Sequence, residues 1–475
     1  MKLDQLCDTI ASQVKIEYDL SAILSSLLYA RILYPSSKRS SFESCKKLLE
    51  PQSHDLHHVY RALDILAENN HLIQQHLYHH SEKGVPRNSS ILYYDCTNFF
   101  FEIEAAQGDK QYAKSKEHRP NPVIQMGLFL DGNGIPLAFE LTPGNTNEQK
   151  TLQPLQQRVM RDFELSKLIV CTDAGLCSYS NRKFNTFKNR AYVTVQPLKK
   201  LKDHLKAWAL DPNGWRLPTQ DKEINLREIE LDSSQAVYYK ERWIHENGLE
   251  ERLIITFSPK YKRYCEQLRA KHIERALKQM DSGKKGGKVR KQNDPNRFIQ
   301  TNHITRHGEL ADSCHLTLDE DLIAYEQRFD GFYGIVTNLE DDVLEIVKIN
   351  QRRWEIEESF RILKSEFKAR PVYVRNDRRI HAHFLTCFVS LTLLRILEKR
   401  LEEQYTTENI IRTLRDMNVH HIRAAGFIPL FKRNELTDHL QSLFHVQLST
   451  EIIDMHTMKK NKRISKSRKI TTFRT

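Results

Sequence analysis

The clearest structural signal in this 475-residue chain is the stretch Pro122-Val-Ile-Gln-Met-Gly-Leu-Phe-Leu130-Asp-Gly-Asn-Gly-Ile135-Pro-Leu-Ala-Phe-Glu-Leu141. Its two apolar runs, 122–130 and 135–141, have the composition of β-strands. The four residues between them, Asp131 to Gly134, tolerate the positive φ angles of a tight turn. The stretch therefore predicts an antiparallel hairpin.

The flanking sequence predicts the rest of a mixed sheet. A short apolar run before the hairpin, 91–95, ends in Asp95, and another after it, 168–172, leads directly into Asp173. Helices are expected between these strands, the first opening with a capping box at 146–149 and running to about 163, the second near 180–188. With a fifth strand at 191–195, the order is a three-stranded meander, helix, strand, helix, strand. This order is typical of an α/β, RNase H-like mixed sheet, in which the first and fourth strands lie side by side and would place Asp95 beside Asp173.

A second informative stretch is Asn350-Gln-Arg-Arg353-Trp-Glu-Ile-Glu357-Glu-Ser-Phe-Arg361-Ile-Leu-Lys364. On one continuous helix, Asn350, Arg353, Glu357, Arg361 and Lys364 share a face beside an apolar stripe. One carboxylate would thus stand among three cations, which keep it ionised and could hold phosphates beside a metal that it binds. The alternative is a surface helix with ordinary Glu–Arg pairs.

Five regions are expected along the chain. Well over a hundred residues separate the fifth strand from the 350–364 helix, too many for a loop, so they must form an inserted domain. Within it, 237–258 predicts a hairpin around Asn247-Gly248, followed by a basic helix. The predicted regions are a helical N-terminal region that could bind DNA ends (1–88), the first part of the RNase H-like core (89–199), an inserted β-rich, basic domain (200–331), the last part of the core (332–400) and a helical C-terminal region with a basic tail (401–475).

The net charge of +12 is concentrated in two segments. Residues 260–297 hold thirteen Lys or Arg against four acids, and residues 458–475 hold eight against none. Such focused charge favours a polyanion, with nucleic acid ahead of a membrane surface. Solvated, disordered segments are the alternative.

Export and membrane insertion are not expected from the sequence. The longest apolar run, near 384–394, is too short to span a bilayer, and no signal-peptide pattern opens the chain. Eight scattered cysteines without paired spacing indicate reduced thiols in a cytoplasmic protein and no zinc site.

The chain resembles the insertion-sequence DDE transposases of the group with a Tyr-x2-Arg-x3-Glu-x6-Lys signature and a β-rich insertion. The signature matches at Arg353, Glu357 and Lys364, with Asn350 in place of the tyrosine. Further matches are an Asp closing a strand, a Gly-x-Pro hairpin with a following Gly-Asn, an Asp followed by a small residue and Gly, and a His-Phe pair: Asp95, Gly134, Pro136, Gly144, Asn145, Asp173, Gly175, His383 and Phe384. Asp173 follows Asp95 by 78 residues, and Glu357 follows Asp173 by 184 residues. The asparagine puts only a DNA-contacting or supporting role of position 350 in doubt.

The resemblance implies a two-metal site. Asp95 would bridge two Mg²⁺ ions, with Mn²⁺ as a substitute, while Asp173 and Glu357 would each complete one ion's site. Structural alternatives remain for the first two acids: Asp95 could simply end a strand, and Asp173 could cap a helix. The expected DNA-binding residues are Asn350, Arg353, Arg361, Lys364, Lys284, Lys285, Lys288, Arg290 and Lys291.

The implied function is that of a transposase that binds the terminal inverted repeats of its element, cleaves the ends and transfers their 3′ ends to target DNA. The implied assembly is a homodimer in a synaptic complex with double-stranded DNA, nucleoid-associated in the cytoplasm. In related enzymes the flanking strand is released through a hairpin on the transposon end. Two alternatives stay open, a catalytically inactive DNA-binding regulator and an RNase H-like nuclease, and Mg²⁺-dependent nicking and strand transfer would discriminate among the three.

Overall fold

The computed structural model describes residues 1–50, 52–218, 220–229, 236–281, 294–304, 313–423 and 425–465. The chain divides into two compact units. Unit 1 contains Met1–Ala191 and Gln351–Thr475, and unit 2 contains Tyr192–Asn350. The insertion predicted at 200–331 lies within unit 2.

The sheet of unit 1 has the RNase H-like order expected from the sequence. Its four strands are β1 (Ile91–Phe100), β2 (Val123–Asp131), β3 (Pro136–Pro143) and β4 (Leu168–Thr172). They lie in the order β3-β2-β1-β4, with β1, β2 and β3 antiparallel and β4 parallel to β1. The predicted meander and the adjacency of the first and fourth strands are confirmed.

The turn between β2 and β3 shows why its residues predict a hairpin. The Oδ1 atom of Asp131 accepts hydrogen bonds from the backbone N–H groups of Asn133 (3.0 Å) and Ile135 (2.9 Å). Gly134 has a φ of +76°, and a Cβ atom there would overlap the carboxylate of Glu355. The positive φ favours glycine at this position, and any larger residue would also displace the Glu355 carboxylate.

Most other elements that the structure describes in unit 1 are helices. They are α1 (Leu3–Gln13), α2 (Leu20–Leu33), α3 (Lys38–Cys45), α4 (Leu56–Glu68), α5 (Asn70–Ser81), α6 (Leu152–Asp162), α7 (Tyr179–Phe184), α12 (Trp354–Lys364), α13 (Asp377–Arg400), α14 (Thr407–Asp416), α15 (Glu435–Phe444) and α16 (Met455–Ser465). Helix α13 contacts α2, α4, α5, α12 and β3. The N-terminal helices thus pack on the same core helix as the sheet.

Helix α13 contains the apolar run near 384–394, which the sequence suggested was too short to span a bilayer. Its 24 residues, with a mean hydropathy of 1.6 in the most apolar window, are long and apolar enough to cross a membrane. In the fold, 72% of that window is buried. A helix that is apolar on all sides is what the centre of a packed domain requires.

The capping box predicted at 146–149 is not formed. A 3-10 turn at Glu148–Lys150 comes first, with Asn147 accepting a hydrogen bond from the N–H of Gln149 (3.0 Å). The helix, α6, begins only after Thr151, whose hydroxyl donates to the carbonyl of Glu148 (2.7 Å). The cap was misplaced because Asn147, rather than Thr146, supplies the capping oxygen, and it caps the short turn.

The C-terminal region is not wholly helical as expected. Strands β13 (Val419–Ile422) and β14 (Gly426–Pro429) form an antiparallel hairpin between α14 and α15. On its other side, Phe427 of β14 forms an isolated antiparallel bridge with Ile453, which lies between α15 and α16, and both side chains pack with Met458 of α16. The short strands were missed because two histidines and a proline make them look like loop sequence.

Unit 2 contains strands, helices and a second small sheet. Its elements are β5 (Arg190–Val195, which starts in unit 1), α8 (Asp203–Leu210), β6 (Trp215–Leu217), β7 (Gln220–Ile224), β8 (Tyr238–Glu246), β9 (Leu249–Phe257), α9 (Pro259–Asp281), β10 (Ile299–Ile304), β11 (Ser313–Leu318), α10 (Glu320–Gln327), β12 (Phe332–Thr337) and α11 (Val343–Gln351). The strand order is β5-β12-β9-β8-β6-β7, with β10 and β11 paired separately. The predicted hairpin around Asn247-Gly248 is confirmed as β8 and β9.

The single helix predicted over 350–364 is wrong. Helix α11 ends at Gln351 and α12 begins at Trp354, with the N–H groups of Glu355 and Ile356 bonded to the carbonyls three residues before them, at Arg352 and Arg353. Each half keeps its own helical period, so periodicity alone did not reveal the break. Asn350 consequently does not share a helix face with Glu357.

Candidate active site

Two carboxylates meet at the end of β4. The parallel pairing sets Leu92 level with Val170 and Tyr93 level with Cys171. Continuing this register by two residues puts Asp95 level with Asp173. The strand order therefore brings together two acids that are 78 residues apart in the sequence.

Strand β1 presents Asp95 on the face opposite one of the apolar core clusters. Leu92, Tyr94 and Cys96 point into a core cluster that includes residues of β2, β3, β4 and α6. Because side chains alternate along a strand, Asp95 and Thr97 lie on the other face. That face is the one that contacts the end of α12, as described below.

The pKa of Asp95 is raised from 3.8 to about 6. Burial is the main cause, the ammonium group of Lys116 acts in the opposite direction, and the carboxylates of Asp173 and Glu148 add to the rise. A hydrogen bond from the N–H of Cys96 to Oδ1 (2.7 Å) favours the ionised form. Asp95 is thus an acid held among other negative charges.

This pKa predicts that Asp95 destabilises the fold at neutral pH. Because the folded state binds the proton more tightly than the unfolded chain, stability should fall as pH rises from about 4 to about 6. In metal-free buffer at pH 7.5, Asp95→Asn should raise the free energy of unfolding by about 1–2 kcal/mol. Thermal melts at pH 7.5 and 4.5 measure this, and a variant that is no more stable than the unchanged protein at pH 7.5 would contradict it.

Asp173 is held in a turn rather than at the start of a helix. Its Oδ1 atom accepts hydrogen bonds from the N–H groups of Gly175 and Leu176, both at 3.0 Å. The following helix, α7, is capped instead by Ser178. The sequence-based alternative that Asp173 caps the next helix is therefore wrong, although the same side chain does fix the local turn.

Glu148 and Lys116 are members of the site that sequence reasoning missed. The ammonium group of Lys116 donates to the carbonyl of Cys96 and lies 3.2 Å from Oε1 of Glu148. The side chain of Gln149 donates to the carbonyl of Gly175 (3.0 Å), which ties the Glu148 turn to the loop of Asp173. The only sequence signal was the polar segment 146–149, which we interpreted as a helix start.

Lys364 reaches the same site from the end of α12. Its Nζ atom donates to the hydroxyl of Thr97 (2.6 Å), lies 3.5 Å from Oε1 of Glu117 and stands over the ring of Phe99. Burial, with Lys116 adding to it, lowers the pKa of Lys364 to about 8, while Asp95 acts in the opposite direction. The signature lysine therefore lies two residues along β1 from Asp95.

Glu357 lies on α12, as Lys364 does, but its side chain binds a different group. Its carboxylate is 57% exposed and pairs with the guanidinium group of Arg353 at 2.9 Å. The structure brings Asp95 and Asp173 together and shows Glu357 in its pair with Arg353. The neighbouring Glu355 is buried and bound to Arg352, so it does not share the exposed face.

The sequence profile of the family described as "Transposase DDE domain" matches residues 88–252 and 256–393. The chain belongs to this family. As a DDE-domain transposase, it is an enzyme that acts on DNA. The profile covers β1, β4 and α12, the elements that carry all three predicted acids.

Comparisons with other proteins add little to the family match. One similar solved structure is the piggyBac transposase synaptic complex with hairpin DNA, with 8% identity over 96% of this chain and 80% of that one and a TM-score of 0.41. Another is the Mos1 transposase paired-end complex with the left transposon end, with 17% identity over 30% and 46% of the two chains and a TM-score of 0.15. No curated protein matches the sequence.

The predicted DNA-binding residues of this transposase have different environments. Asn350 is buried at the end of α11 in unit 2. Arg361 is bound by both oxygens of Glu358, each at 2.7 Å, and lies 3.4 Å from Glu366. The five basic residues predicted in the inserted domain lie outside the described residues: Lys284, Lys285, Lys288, Arg290 and Lys291.

The donor set of the site fits a hard divalent cation. Asp95 and Asp173 offer carboxylate oxygens, the ligands that Mg²⁺ and Mn²⁺ prefer. A different group, Asp55, His57 and His58, has ligand atoms within 4.8 Å of one another. Asp55 and His58 already form the capping box of α4, which explains their proximity without a metal.

Proposed function

We propose that this protein is an insertion-sequence transposase that binds the terminal inverted repeats of its element, cleaves the ends by phosphodiester hydrolysis and transfers the 3′ ends to target DNA. The observation that supports this proposal is that Asp95 on β1 and Asp173, directly after the neighbouring strand β4, lie close enough for one carboxylate to raise the pKa of the other. Lys364 of the signature, at the same strand, adds a cation where a phosphate would be expected. Neither feature would be needed for DNA binding alone.

The proposed cofactor is Mg²⁺, with two ions and with Mn²⁺ as a substitute. Asp95, Asp173 and Glu357 would hold it, and it would supply an activated oxygen nucleophile and relieve charge on the leaving oxygen. Glu357 would join the other acids by leaving its ion pair with Arg353. Arg353 and Lys364 would then hold phosphates of the strand being cut, since their donors match phosphate oxygens.

The proposed assembly is a homodimer on double-stranded DNA. An element has two ends, and each chain has one set of the three acids, so two copies are needed to cut both ends within one synaptic complex. We propose that this happens in the cytoplasm, on the nucleoid. Light scattering of the protein with and without an end-bearing duplex would measure the number of chains per complex.

The basic run in the inserted domain should contribute to DNA affinity. Neutralising Lys284, Lys285, Lys288, Arg290 and Lys291 together should weaken binding about tenfold and reduce the salt-dependence slope by about 1–3 units, because each phosphate contact contributes close to one. The measurement is the dissociation constant of a duplex at several salt concentrations. An unchanged slope would show that this run does not contact DNA.

The proposed function is tested on the element's own ends. Sequencing the DNA that flanks the coding region identifies matched inverted repeats, which provide the labelled duplex. With Mg²⁺, the protein should bind and cleave this duplex at the repeat boundary and leave a scrambled duplex intact. Equal treatment of both duplexes, or binding without any cleavage, would contradict the proposal.

A further inference from the structure

Lys116 occupies a central position among the charges of the candidate site. Its ammonium group donates to the carbonyl of Cys96, the residue after Asp95, and forms an ion pair with Glu148 at 3.2 Å. The charged groups that face it are Asp95 and Glu148, which attract it, and Lys364, which repels it. The ammonium group of Lys116 therefore interacts with two carboxylates, Asp95 on β1 and Glu148 in the turn after β3.

The backbone around Lys116 is fixed by the same strand that carries Asp95. Asn98 of β1 donates from its Nδ2 atom to the carbonyl of Lys114 and accepts at Oδ1 from the N–H of Lys116, both at 3.1 Å. The next residue, Glu117, is bound to Lys364 and Arg370. Lys116 is thus held at the site by its backbone as well as by the bonds of its ammonium group.

The position of this ammonium group has an electrostatic consequence. Lys116 compensates the negative charge of Asp95 and Glu148, which lie in the same cluster as Asp173. A divalent ion bound by Asp95 and Asp173 would compete for the same negative charge and would be repelled by the ammonium group. Lys116 and the ion should therefore oppose each other.

We propose that Lys116 is a positioning residue that balances the charge of the candidate metal site and sets its affinity for divalent ions. This inference rests on the proposed function, in which Asp95 and Asp173 hold metal. Without Lys116 the site binds metal more tightly, and without Glu148 it binds metal more weakly. The pair Lys116–Glu148 thereby sets the dissociation constant of the site for a divalent ion.

The test is Mn²⁺ binding by the full chain without DNA at pH 7.5, followed by electron paramagnetic resonance of the free ion. Lys116→Met should bind Mn²⁺ about tenfold more tightly, because removing a cation a few ångströms away strengthens the attraction. Lys116→Arg keeps the charge and should stay near the unchanged protein. Glu148→Gln should bind about tenfold more weakly, and the double variant should return to within about threefold of the unchanged protein.

Lys114→Met is the matched control. Lys114 is exposed, two residues from Lys116, and its side chain makes no ion pair or hydrogen bond to any residue that the structure describes. It should leave Mn²⁺ binding unchanged, and thermal melts of all variants verify folding. Equal or weaker binding by folded Lys116→Met, or equal tightening by Lys114→Met, would overturn the inference.

A further variant separates this inference from the proposed function. Asp95→Asn should abolish Mn²⁺ binding if the acid pair holds the metal. If Asp95→Asn abolishes Mn²⁺ binding and Lys116→Met leaves it unchanged, the metal site is supported and the proposed role of Lys116 is wrong. If Asp95→Asn binds Mn²⁺ as the unchanged protein does, or if no form binds the ion, both are wrong.

Discussion

Replacing Asp95, Asp173 or Glu357 by Ala should reduce cleavage of the element's ends by at least about a thousandfold, as loss of several kcal/mol of transition-state stabilisation requires. The physical reason is that each carboxylate would hold part of the charge that activates the nucleophile and leaving group. Binding of the end duplex should stay within about threefold, because contacts with the phosphate backbone supply most of the affinity. Single-turnover cleavage and a binding titration measure the two quantities.

The matched control for Glu357 is Glu358→Ala, which removes the adjacent carboxylate. Glu358 is bound to Arg361 and points about 100° away on an ideal helix. Its loss should leave cleavage within a few fold. Near-normal cleavage by any of the three acid variants would remove that residue from the site, and loss of end binding in parallel would indicate a structural role instead.

Replacing Lys364 should reduce cleavage by about a hundredfold, in the range of a lost charge-assisted contact to the reacting group. Lys364 is 15% exposed and lies against Thr97, so part of the effect of Lys364→Ala would come from packing. Lys364→Met keeps most of the aliphatic stem and removes only the ammonium group. It should therefore lose cleavage while its melting temperature shifts by only a few degrees.

Arg353→Lys tests the neighbouring cation. Lysine keeps the positive charge but not the two-pronged geometry with which a guanidinium group binds phosphate. Lys399→Ala serves as a control for both changes, since Lys399 also forms an ion pair on a helix of unit 1, with Glu403 at 2.6 Å. Normal cleavage by Lys364→Met and Arg353→Lys, or a loss explained by unfolding, would show that these two cations do not contact the DNA strand being cut.

The sheet was predictable because its signals are local. A turn that requires positive φ at Gly134 and two apolar flanks identify a hairpin without knowledge of the remaining fold. The order of strands and helices then predicts that the strands ending near Asp95 and Asp173 are neighbours. The parallel register between β1 and β4, continued by two residues, puts the two acids level with each other, as this order predicts.

The break between α11 and α12 was not predictable in the same way. Apolar residues before and after it keep a helical period, so the sequence looks continuous. The structure reveals the break because the backbone N–H groups of Glu355 and Ile356 bond to carbonyls three residues earlier in the chain rather than four. Its consequence is that Asn350 and Glu357 belong to different helices and to different units.

Glu148 and Lys116 could not be found from spacing because their contact is tertiary. Lys116 lies in the segment between β1 and β2, and Glu148 lies in the turn after β3. Their side chains meet because Asn98 fixes one segment and the bond from Gln149 to Gly175 fixes the other. A single sequence contains no periodicity that would indicate either bond.

The most direct test of the central claim is strand transfer by the unchanged protein. A labelled duplex with the element's processed 3′ end is incubated with the protein, a supercoiled plasmid and Mg²⁺, and joined products are sequenced. The claim predicts covalent joining of the labelled 3′ end to the plasmid, lost when Mg²⁺ is replaced by EDTA or when Asp95 is replaced by Ala. Absence of joined products with a folded, end-binding protein would contradict it.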